Sequence, residues 1–152
     1  MKALTICQPY AHMIIVTKEK RVENRSWPTR HRGELLIHAG KSRQWLGMGG
    51  IDIVETFTGS AKRRVSTSDM QGREIAFGAV IGITRLIDCL HIEDIAEGKH
   101  DAQYPWLREH AHLEGPWCWV LAHDVIQFAE PVPMAGKLGL FNINVQELSN
   151  DR

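Results

Sequence analysis

Apolar residues come in short blocks along the chain, and their spacing shifts between alternation, continuous runs and helical periodicity. Lys2–Ile6 reads as a short strand. Pro9 suits the first turn of a helix running to about Thr17, because its missing N–H does no harm there. Residues 21–25 form a second predicted strand, ended by Trp27-Pro28, and Gly33–Ala39 a third around Leu35-Leu36-Ile37. Between 41 and 76, helical spacing around Trp45 and around Ile51, Ile53, Val54 and Phe57 predicts a helical insertion. That stretch also holds a glycine cluster, Gly47-Met48-Gly49-Gly50, and a predicted mobile polar loop near 59–73. Residues 77–89, rich in Val and Ile, give the strongest strand signal. A polar, acidic stretch with several histidines covers 91–115. Trp117–Leu121, 125–128 and 140–145 are further strands, separated by Pro131-Val132-Pro133 and Gly136-Lys137-Leu138-Gly139. No repeat or linker interrupts the pattern, so a single α+β domain over 1–152 is predicted. About six short strands would form a small, mostly antiparallel β-barrel with two to four helices on its periphery.

The composition, 152 residues of which 43% are apolar, supports a real core and excludes wholesale disorder. Net charge is zero, yet residues 1–73 hold 13 Lys+Arg against 6 Asp+Glu, and residues 74–152 hold 5 against 12. A zero total argues against tight, sequence-blind duplex binding. The basic half suits a localised anion-binding face, and mutual attraction of the halves explains it equally well. No apolar run approaches the ~20 residues of a bilayer span. Polar Gln8 interrupts the apolar stretch at 3–7, so no secretory signal is predicted either. Cys7, Cys89 and Cys118 are odd in number and far apart, as expected of reduced thiols in a cytoplasmic protein. His100, His110 and His112 lie near acids, but no paired Cys-x-x-Cys or His-x-x-x-His accompanies them, so neither metal nor cofactor is expected.

The densest chemistry lies early: Gln8, Tyr10, Lys20, Glu23, Arg25 and Trp27. Such groups grip a flat, polar, partly anionic ligand such as a nucleotide. In an extended 21–25 segment, Glu23 and Arg25 share one face and Val22 takes the other. Lys20 belongs to the preceding turn, from which it swings toward a cleft. Arg25 would offer a fork of donors to a phosphate or base edge, Gln8 an amide to a base, and Trp27 and Tyr10 stacking surfaces worth ~1–3 kcal/mol per base. Trp27 reads equally as a core plug beside Pro28. His38, ending a strand, reaches the cleft or is a hydrogen-bonded core histidine. Lys41 contacts phosphate or is a solvated loop charge. Lys62-Arg63-Arg64 tracks a nucleic-acid backbone or is plain surface. Cys118 with His123 makes a conceivable nucleophilic pair, against a buried strand cysteine.

Lys18-Glu19-Lys20-Arg21-Val22-Glu23-Asn24-Arg25 resembles the G-x-K-x-x-E-x-R signature of the ASCH domain family, with Lys18 in place of Gly. The flanks Leu4-Thr5-Ile6, Gln8-Pro9-Tyr10 and Leu36-Ile37-His38-Ala39 agree, as do Gly115-Pro116-Trp117 and Gly136-Lys137-Leu138-Gly139-Leu140. The resemblance implies a PUA-like β-barrel with a cleft that binds RNA or a nucleoside or nucleotide. Some small members hydrolyse N4-acylated cytidines using Lys, Thr and Glu, and a few resemble ribonucleases. Lys20 matches their Lys, but Glu23 stands where their Thr would be. Binding is therefore the first expectation, in a monomer or weak dimer that can also take a protein partner. Hydrolysis, with Glu23 as general base and Lys20 stabilising the oxyanion, is the alternative.

Overall fold

Leu35, Leu36 and Ile37 are all fully buried, so their strand is covered on both faces and lies deep in the protein. The computed structural model describes residues 1–45, 51–58, 61–66 and 75–149, the two middle segments by their backbone alone. In chain order these form β1 (Lys2–Ile6), α1 (Tyr10–Ile15), β2 (Val22–Arg25), β3 (Gly33–Ala39), β4 (Ile51–Thr58) and β5 (Ala61–Ser66). Then come β6 (Ala79–His91), α2 (Ile92–Ala96), β7 (Trp117–Leu121), β8 (Ile126–Pro133), β9 (Leu140–Asn142) and a 3-10 turn at Val145–Leu148.

Seven strands make one mixed sheet in the order β2-β7-β6-β3-β1-β9, with β8 also paired to β6. Among the described residues only β1 and β3 run parallel, with Ala3 opposite Leu36 and Ile6 opposite Ala39. The other described pairings in this sheet are antiparallel, as expected. The barrel is corrected: among the described residues no ladder joins β2 to β9, so the sheet is not closed.

The helical insertion is also corrected, since β4 and β5 pair antiparallel as a separate two-stranded sheet. Their composition explains this. Ile51, Ile53 and Phe57 recur at even spacing in a segment rich in β-branched residues, which favours a pleated strand over a helix. The basic triplet Lys62-Arg63-Arg64 therefore lies on β5. Gly47-Met48-Gly49-Gly50, and the predicted loop at 59–73 apart from its β5 portion, lie outside the described residues.

Side-chain alternation on β3 builds two cores. Leu35, Ile37 and Ala39 join Leu4, Ile6, Ile14, Ile15 and Trp119 in one cluster. Leu36 joins Ala3, Val80, Phe141 and Ile143 in another. A third cluster, Val22, Leu90, Ile95, Tyr104, Leu107, Cys118 and Val120, fastens the segment after α2 to β2 and β7. Within it, the Tyr104 hydroxyl donates to Asp88 Oδ2 at 2.9 Å. Burial and that carboxylate push the phenol up to about 12. Among the described residues, no helix is long and apolar enough to cross a membrane.

Helix α1 packs on β3 and β6. Gly82 of β6 lies between α1 and β8 and needs to be a glycine: a Cβ there would run into the Ile126 carbonyl of β8 and lie 2.7 Å from Ile15 Cγ2 of α1. Gly82→Ala should therefore lower stability by roughly 1–3 kcal/mol through overpacking. Thermal unfolding checks this, and an unchanged melting temperature would contradict such close packing.

Candidate ligand-binding cleft

Strand β2 pairs with β7, Glu23 opposite Trp119 and Arg25 opposite Trp117. Alternation sends Val22 into the core, fully buried. Glu23 and Arg25 face the other way, onto a cleft of about 680 Å3. Lys20 reaches the same cleft from the turn after α1. That turn has Lys18 at φ 61, a left-handed conformation that favours glycine, the residue of the family signature at this place.

The charged groups hold one another. Lys20 Nζ lies 3.2 Å from Glu23 Oε2, and Arg25 Nε lies 3.4 Å from Glu23 Oε1. Lys20, only 5% exposed, also donates to the Val22 carbonyl. Arg25 Nη2 donates to the Thr5 carbonyl at 3.0 Å, tying β2 to β1. Glu23 Oε2 is sealed from solvent and makes no hydrogen bond; the Lys20 ammonium is its charged neighbour. The other oxygen, Oε1, is the one beside Arg25, and Glu23 lines the cleft.

Aromatic side chains supply the walls. Tyr10, Trp27 and Trp45 all line the cleft. The Tyr10 and Trp45 rings meet edge-on at 6.3 Å, and Lys20 Nζ lies 5.8 Å from the Tyr10 ring centre. Trp27 stands where cleft and core meet. It lines the cleft and packs edge-on against buried Trp119 at 4.8 Å, while the Trp119 indole donates to its carbonyl at 3.3 Å.

Of the predicted ligand residues, Tyr10, Lys20, Glu23, Arg25, Trp27 and Lys41 line one cleft, and Gln8 and His38 do not. Gln8 is fully buried: its Oε1 accepts from the His12 N–H at 2.9 Å, and its Nε2 donates to the Ala76 carbonyl at 2.7 Å. It caps α1. His38 falls on the Leu36 face of β3, 1% exposed and edge-on to Phe141. Its Nε2 donates to the Met134 carbonyl at 2.7 Å, and in the neutral ring Nδ1 accepts from the Thr5 hydroxyl at 3.1 Å. Both are structural clasps. Cys118 is buried in the third core cluster, and its thiol is pushed up to about 11 by burial, which fits a packing residue.

Among the other residues that line the cleft, three shape its walls. Trp45 is half exposed on one wall. His112 comes from the segment before β7, its ring 6.3 Å from Tyr10. Asn24 anchors that segment, with Oδ1 accepting from the Glu114 and Gly115 N–H groups at 3.0 and 2.8 Å and Nδ2 donating to the His112 carbonyl at 2.7 Å. Among the described residues, no three His, Cys, Asp or Glu side chains converge as a metal ligand set.

The ASCH domain profile matches residues 4–131, most of the chain. No curated protein matches it.

His110 and His112 are both held neutral, each lowered to about 4 by burial, with Lys20 nearby adding to the effect. His110 Nε2 also accepts the Arg21 N–H at 3.0 Å, which requires an unprotonated nitrogen. The unfolded chain takes up protons near pH 6.5, where the folded one does not. Stability should thus be complete above about pH 6.5 and fall as pH drops toward 4. Melting temperatures across that range check the slope, which should flatten when both histidines are replaced by Gln.

Proposed function

Because the chain belongs to the ASCH domain family, we propose that it is an RNA- or nucleotide-binding module whose cleft takes a base. One observation carries the reading: Glu23, clamped between Lys20 and Arg25, faces a cleft walled by Tyr10, Trp27 and Trp45. Flat aromatic faces stack on bases of any sequence, and a fixed polar cluster discriminates among base edges. The open sheet is consistent with a PUA-like relative of the family's barrel. Three free cysteines fit a reducing, cytoplasmic setting.

Hydrolysis of a modified nucleoside is the second reading, favoured by the Lys20–Glu23 contact inside the cleft. In it Glu23 activates a water and Lys20 stabilises the oxyanion that forms. Binding stands first because the Lys20 ammonium already serves the Val22 carbonyl as well as Glu23, which limits its freedom to meet a transition state.

A titration of single-stranded RNA oligomers and modified nucleosides at low salt tests the proposal. Binding is expected, and Trp45→Ala should weaken it about 5- to 100-fold by removing a stacking face. Trp45 is 51% exposed, so this change leaves the cores intact. Absence of binding to every probe, even at low salt, would remove the proposal.

A further inference from the structure

The cleft is poorly equipped for phosphate. Lys20 and Arg25 share one carboxylate and each also serves a backbone carbonyl. Lys41 is an exposed cation at the cleft, and Glu114 an exposed acid. With His112 neutral, three cations against two carboxylates leave a single net positive charge across the lining. A phosphate site presents unpaired guanidinium groups or clustered N–H donors. Here an incoming phosphate would meet the Glu23 carboxylate. The same carboxylate suits an N–H donor, and the surrounding aromatic faces suit a flat uncharged ring.

Building on the function proposed above, we infer that the cleft recognises the uncharged ring of a nucleobase carrying an exocyclic amino group. The amino N–H is directed at Glu23 Oε1, and the sugar and phosphate stay outside in solvent. Cytosine and adenine offer that amino group, whereas uracil and hypoxanthine put a carbonyl oxygen in its place. A carbonyl facing a carboxylate is repelled. Glu23 thus sets specificity, Lys20 and Arg25 hold it in place, and Lys41 makes at most one weak phosphate contact.

The test uses the intact protein with cytidine, uridine, adenosine and inosine, and their 5′-monophosphates, titrated calorimetrically at low and moderate salt. In the pair that binds, the amino nucleoside should exceed its keto partner by about tenfold or more, as expected of a charge-assisted hydrogen bond. Each monophosphate should bind within about fivefold of its nucleoside, the scale of one exposed ion pair, with little dependence on salt. In Glu23→Gln the amino-to-keto ratio should fall toward one. Because a ratio is read, a general loss of affinity does not mimic this result, and a melting curve confirms that the variant is folded.

Equal binding of amino and keto partners, or an unchanged ratio in Glu23→Gln, would overturn the inference. So would monophosphates that bind more than tenfold tighter with steep salt dependence. In either case the module still binds nucleotides and the broader proposal stands. If neither nucleosides nor RNA bind, both fail together.

Discussion

One carboxylate held between two cations organises this protein. Glu23 bridges Lys20 of the α1–β2 turn and Arg25 of β2, and Arg25 in turn reaches the Thr5 carbonyl on β1. β1 and β2 lie far apart in the strand order, so this contact joins strands that no ladder among the described residues pairs. Partial burial makes it consequential. Removing one member of a buried ion pair leaves the other unpaired in a low dielectric, whereas an exposed pair contributes little. Lys20, at 5% exposure, belongs to the first situation.

The rest of the cleft is built around that cluster. Asn24, between Glu23 and Arg25 in sequence, turns to the segment before β7 and pins three of its backbone groups, which sets His112 beside Tyr10. Trp27 follows on the same strand exit and rests on Trp119. Four residues of one short strand and its exit thus position acid, base and aromatic groups. Val22 in the third apolar cluster and Trp27 against the first anchor that strand and its exit. Such a site is preorganised for a ligand, so little ordering cost falls on binding.

Much of this was legible in the residues because its signals are local. Gly33–Ala39 and Trp117–Leu121 are strands with the predicted bounds, since short, nearly continuous apolar runs point one way. Alternation alone placed Glu23 opposite to Val22. What the residues hid was mostly long-range. His112 and Asn24 meet across 88 positions, and no local pattern foretells that contact. Gln8 and His38 have the chemistry of ligand residues, but their polar atoms are satisfied by the chain itself. The misreading at 51–57 came from apolar residues whose positions fit helical and strand spacing alike, where β-branching is the better guide. Sheet closure depends on which strands pair at the edges, and composition does not encode that.

The central claim is that Lys20 and Glu23 form a genuinely coupled pair. A double-mutant cycle of Lys20→Met, Glu23→Gln and the combined variant, read by urea unfolding, measures it directly. The account predicts a coupling of about 1 kcal/mol or more, with the double variant less destabilised than the two singles added. A coupling near zero would mean that the two side chains are neighbours without being partners, and would contradict the account at its root.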